Sequence, residues 1–133
     1  ETWDQILDSV NFADKINVDW VVFNIATPLP NTELYDIAKK GGYLEPGFNY
    51  TDFEFFGYGH GSITTDDFTP IELQMLRAFE WDRINFKTKE KQEKIALMNS
   101  ITMKQLHEWR VSTRRSIGVN VDYNTDSSDK END

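Results

Sequence analysis

The stretch Val18-Asp19-Trp20-Val21-Val22-Phe23-Asn24-Ile25-Ala26-Thr27-Pro28-Leu29-Pro30-Asn31 decides how the fold is read. Through Ala26 it is rich in β-branched and aromatic side chains and almost continuously apolar. That is the pattern of a strand covered on both faces, usually in a parallel sheet. Pro28 and Pro30 end it, because each lacks a backbone N–H and restricts the residue before it. Upstream, Trp3, Ile6, Leu7, Val10, Ala13 and Ile16 recur at three- and four-residue steps, the period of one helix face. Thr2 and Gln5 have capping-box spacing at its start, and Asn17 can close it. A helix followed by a buried strand is half of an α/β repeat, so the expected class is α/β.

Working outward, Asn31 or Thr32 caps a short helix carrying Leu34, Ile37 and Ala38. Lys39-Lys40-Gly41-Gly42 ends it, with cations at the negative end of the dipole and glycine free to turn left-handed. Residues 45–68 show neither period and are rich in aromatics and glycine. A structureless stretch of that length inside a compact domain is usually functional. From Thr69-Pro70-Ile71-Glu72 onward the chain reads as helical, with a proline at the first helical position and a capping glutamate. The first of these helices runs to about Asn85 and buries Leu73, Leu76 and Phe79. Thr88 starts a charged helix reaching Met98, and Thr102 with Gln105 opens a third, terminated by Gly118. The acidic stretch 119–133 reads as a disordered tail.

The 133 residues suit one domain, and nine phenylalanines, five tyrosines and four tryptophans argue that much of it folds. A formal charge of −9 argues against non-specific nucleic-acid binding, which relies on basic side chains neutralising phosphates. With no cysteine there is no disulfide framework, thiolate metal site or thiol nucleophile. No apolar run approaches the ~20 residues needed to cross a bilayer, and no signal pattern opens the chain, so the expected location is the cytoplasm, without membrane or nucleic acid as partner. Glu1 and Thr2 open directly into a helix cap, which reads as the continuation of something longer.

Glu1-Thr2-Trp3-Asp4-Gln5-Ile6, the apolar run, and Phe23-Asn24-Ile25-Ala26-Thr27-Pro28-Leu29-Pro30-Asn31-Thr32-Glu33-Leu34-Tyr35 closely resemble one region of radical S-adenosylmethionine enzymes. There a G-x-P-x-E-T segment opens a helix of a partial (β/α)6 barrel, and the next strand runs into A-x-P-x-P-G-T-x-L-Y. Ser62 to Thr69 and the segment around Arg77, Phe79, Arg83 and Phe86 resemble the carboxy-terminal region of the branch with an upstream cobalamin-binding domain. Asn31 stands where that family has glycine, and asparagine tolerates the left-handed turn. The C-x-x-x-C-x-x-C loop that ligates the family's 4Fe–4S cluster is absent.

The resemblance therefore implies the carboxy-terminal fragment of a partial (β/α)6 TIM-like barrel followed by a helical extension. Residues 1–44 would supply the last helix, strand and helix of that barrel, 45–68 a loop closing its mouth, 69–118 the extension and 119–133 the tail. It implies an intact enzyme that uses S-adenosylmethionine and a 4Fe–4S cluster, with cobalamin in this branch, for methyl transfer or ring formation. The isolated chain would be inactive. Its partners would be the upstream remainder of the barrel and a cobalamin-binding domain.

In that family, backbone atoms of the last barrel strand approach the adenine. Carried over residue by residue, cofactor contacts fall to Asn24, Ala26, Thr27 and Pro28. Read without the resemblance, Thr27-Pro28-Leu29-Pro30 is a stiff connection. Asn24 is the strongest side-chain case, because a polar group within a buried strand needs a partner. Glu1 matches the family's glutamate, which would place it near the cofactor region, but the reading preferred from the residue itself is a carboxylate favouring a helix N-terminus. Gly57-Tyr58-Gly59-His60-Gly61-Ser62 lacks the lysine of a phosphate-binding loop. Over a barrel mouth it would turn Phe56, Tyr58 and His60 toward substrate; otherwise it is a surface turn with a solvated histidine. Asp66, Asp67 and Glu72 read as dipole partners and caps, and Arg110, Arg114 and Arg115 as a small basic surface patch. The alternative to the enzyme is a stand-alone, non-catalytic α+β interaction domain whose last helix docks a partner. A hydrolase using His60 with Asp66 or Asp67 lacks a nucleophile arrangement.

Overall fold

The computed structural model describes residues 1–49, 51 and 60–117. Five helices follow one another: α1 (Trp3–Ile16), α2 (Glu33–Gly41), α3 (Pro70–Asn85), α4 (Lys89–Met98) and α5 (Met103–Arg115). Their ends follow local chemistry. Thr2 with Gln5, Thr69 with Glu72 and Thr102 with Gln105 form reciprocal capping boxes, and Pro70 occupies the first turn of α3. Asn17 closes α1 at φ 48°, and Asn31 turns at φ 66°. Gly42 closes α2 at φ 70°, its N–H reaching the Ala38 and Lys39 carbonyls.

The α/β barrel fragment is not what the chain forms. Among the described residues there is no sheet, only one antiparallel bridge between Leu44 and Ile63. The run from Val18 to Pro28 carries no strand, because a strand is defined by a hydrogen-bonded neighbour and none of the described residues forms one beside it. Side chains of α3 and α4 take that place. Asn85 bonds both backbone groups of Val21, Arg77 Nε donates to the Phe23 carbonyl at 2.7 Å, and Lys91 Nζ donates to the Val18 carbonyl at 2.9 Å.

Burial along this run alternates. Val21 is buried and Phe23 and Ile25 are half-buried, while Val22, Asn24 and Ala26 are exposed. The segment therefore packs one face, not two. A period of two was masked in the sequence because Val22 and Ala26, though apolar, point away from the core.

Phe23 joins two clusters. Val10 and Ala13 of α1 meet Val21 and Ile84 on one side. Trp81, Phe86, Ile95, Ala96 and Leu106 form the other, with Trp20 against them. The rings of Trp20, Trp81, Phe86 and Trp109 interlock, Trp20 edge-on to Trp81 at 5.7 Å and stacked on Trp109 at 5.7 Å. Helix α3 serves α1 and α5 at once, so its buried positions are Ala78, Trp81, Asp82, Ile84 and Asn85. Leu73 and Leu76 are only half-buried and Phe79 is 41 % exposed, which corrects the expected core face of this helix.

Candidate functional site

A cavity of about 420 Å³ opens between α1, the extended segment, α2 and α3. Glu1, Ile6, Ser9 and Val10 form one wall, and Phe23, Asn24, Ile25 and Ala26 another. Leu34, Ile37 and Ala38 come from α2, and Leu73, Leu76 and Arg77 from α3. Tyr43, Ile63, Thr65 and Phe68 complete it from the segments flanking the Leu44–Ile63 bridge. That bridge is held by Glu45 N–H to the Ser62 carbonyl at 3.0 Å and Thr64 N–H to the Tyr43 carbonyl at 2.7 Å. Such a volume, mostly apolar with a few polar groups, matches ordinary small-molecule pockets.

Of the four residues carried over as cofactor contacts, Asn24 and Ala26 line this cavity, as does Glu1. Thr27 is half-buried and Pro28 buried, and neither is part of the lining. Asn24 is exposed, so its amide reaches water and does not need the protein partner that a buried strand would demand. The backbone N–H and C=O groups of Val22, Asn24 and Ala26 make no hydrogen bond to any described residue. In an extended chain these face the edge opposite Val21 and Phe23, where Asn85 and Arg77 bind. His60 is exposed and lies outside the cavity lining. Phe56 and Tyr58 lie outside the described residues.

Arg77 is the site residue that sequence reasoning missed. It follows Leu73 by four positions and so shares that residue's helical face, and a cation on an apolar stripe was the available signal. Burial pushes its guanidinium pKa down, and no carboxylate offsets that effect. Glu72 behaves differently: its carboxylate accepts from the Thr69 N–H at 2.7 Å and hydroxyl at 2.8 Å, which holds it below its ordinary value. It caps α3, and Asp66 and Asp67 are exposed beside it. Among the described residues no three His, Asp or Glu side chains are placed to hold a metal ion.

The basic patch is also redrawn. Arg110 grips Asp82 with two bonds, at 2.7 and 2.9 Å, and Arg114 bonds the same carboxylate, so two of the three arginines fold inward onto α3. No described helix is long and apolar enough to cross a membrane. Compared with family models, with curated proteins and with solved structures, the chain matches none.

Proposed function

We propose that this chain is the carboxy-terminal portion of a radical S-adenosylmethionine enzyme and supplies one wall of its cofactor site. The supporting observation is convergence: Glu1, Asn24 and Ala26, each picked out by the family resemblance, line one cavity. The donor set suits an adenosyl group. Apolar walls fit the faces of the base, and the open backbone edge at Asn24 and Ala26 fits its polar rim. The chain has no cysteine and so offers a 4Fe–4S cluster no thiolate. Cluster ligands, and any cobalamin, belong to the remainder of the enzyme.

When bound beside a reduced cluster, S-adenosylmethionine supplies one-electron chemistry that activates unreactive C–H bonds. This chain's residues have simpler tasks. Asn85 and Arg77 hold the extended segment by Val21 and Phe23, which fixes the register of Asn24 and Ala26. Ile6, Val10, Ile37 and Phe68 supply apolar lining beside that wall.

The test is binding of S-adenosylmethionine by the whole gene product. Ala26→Phe adds a ring at an exposed, cavity-lining position and should leave folding intact. It should weaken cofactor binding by about tenfold or more, equivalent to ~1.4 kcal/mol. Unchanged affinity would count against this wall.

A further inference from the structure

We propose that the cavity also binds an amphipathic carboxylate, its apolar body against α1, α2 and α3 and its head on the Arg77 guanidinium. The two readings share the apolar walls of one cavity, but this one does not rest on the cofactor proposal, because its polar contact is the Arg77 guanidinium and not the backbone edge at Asn24 and Ala26.

Arg77 Nε donates to the Phe23 carbonyl at 2.7 Å, which leaves both terminal nitrogens with no described partner. The chain has 23 acidic side chains against 14 basic ones, so a partner would be easy to supply. Arg83 pairs with Asp14 and Glu80, Arg110 and Arg114 with Asp82, and Lys94 with Asp19, whereas Arg77, like Lys91, donates to backbone carbonyls; of these cations only Arg77 lines the cavity. Part of the Arg77 side chain is buried, and its two terminal nitrogens are available to an incoming anion at the cavity wall. A guanidinium offers parallel N–H groups that match the two oxygens of a carboxylate.

The remaining lining selects the body of the ligand. Ile6, Ile37, Phe68, Leu73 and Leu76 present aliphatic and aromatic surface, and about 420 Å³ holds a small apolar chain. Glu1, the other charged lining residue, is exposed and makes no ion pair with Arg77. Its negative charge opposes a dianion more strongly than a single carboxylate.

The experiment is calorimetric titration of the chain with octanoate and, separately, octanol, on wild type and Arg77→Gln. Octanoate should bind saturably and about tenfold or more tighter than octanol, the range of a charge-assisted hydrogen bond. Arg77→Gln should erase that preference while keeping the helical circular dichroism. Should this variant fail to fold, the wild-type ratio decides alone. Equal binding of the two probes, absence of saturable octanoate binding, or a preference that survives in a folded Arg77→Gln would each overturn the proposal. A third titration, with 5′-deoxyadenosine, separates the two readings. Its binding without octanoate overturns this proposal and leaves the cofactor wall standing.

Discussion

Asn85 binds Val21 as a neighbouring strand would: its Oδ1 accepts the Val21 N–H at 2.8 Å and its Nδ2 donates to the Val21 carbonyl at 2.9 Å. The same amide nitrogen also reaches the Trp81 carbonyl at 2.9 Å, so one fully buried side chain ties the extended segment to α3. Removing it strands a buried donor and acceptor together. Asn85→Ala should therefore destabilise the chain by about 3 kcal/mol. Chemical denaturation should show a lower midpoint with an unchanged slope. A shift below ~1 kcal/mol would mean that water replaces the amide.

Asp82 carries a comparable burden with charge. Its carboxylate is the shared partner of Arg110 and Arg114, with side chains only 11, 20 and 8 % exposed respectively. Asp82→Ala would leave two close guanidinium groups with their common acceptor gone. The expected loss is about 3–5 kcal/mol, with α5 detaching first. Faster amide exchange in α5 than in α1 would register that order.

Asp14 gives the fold an acid-sensitive contact. Hydrogen bonds from Arg83 at 2.8 Å and Lys87 at 3.1 Å hold its carboxyl below its ordinary value. A carboxyl with a depressed folded pKa stabilises at neutral pH, and that contribution disappears as pH falls below about 4 and through the folded value. The site is solvent-exposed enough that less than about 1 kcal/mol is at stake. Asp14→Asn should thus lower stability at pH 7 and match wild type at strongly acid pH. A constant difference across the range would contradict the assignment.

Trp20 anchors the other end of the extended segment, among the rings of Trp81, Phe86 and Trp109. Trp20→Ala should cost about 3 kcal/mol, whereas Trp20→Phe should keep most of the packing. Equal losses for the two would show that the ring contacts contribute little.

Helix ends were legible because their chemistry is local. Thr2, Thr69 and Thr102 each lie three residues before the side chain that completes the cap, and Asn17 and Gly42 mark the left-handed exits. The central run was not legible, for a physical reason. Val18 to Ala26 has the composition of a strand, but pairing requires a neighbour that composition does not reveal. Asn85, Arg77 and Lys91 supply substitutes from distant positions, and nothing near residue 21 announces them. Arg110 and Arg114 looked like surface charge for the same reason, since Asp82 lies on another helix. Of the four positions carried over from the resemblance, Asn24 and Ala26 line the cavity and Thr27 and Pro28 do not, while Arg77 needed the fold to bring its apolar neighbours around it.

The most direct test of the proposed enzyme is to read the coding DNA upstream of the Glu1 codon. The account predicts an in-frame C-x-x-x-C-x-x-C, the cluster loop these residues lack. A complete coding sequence without that triad would contradict it.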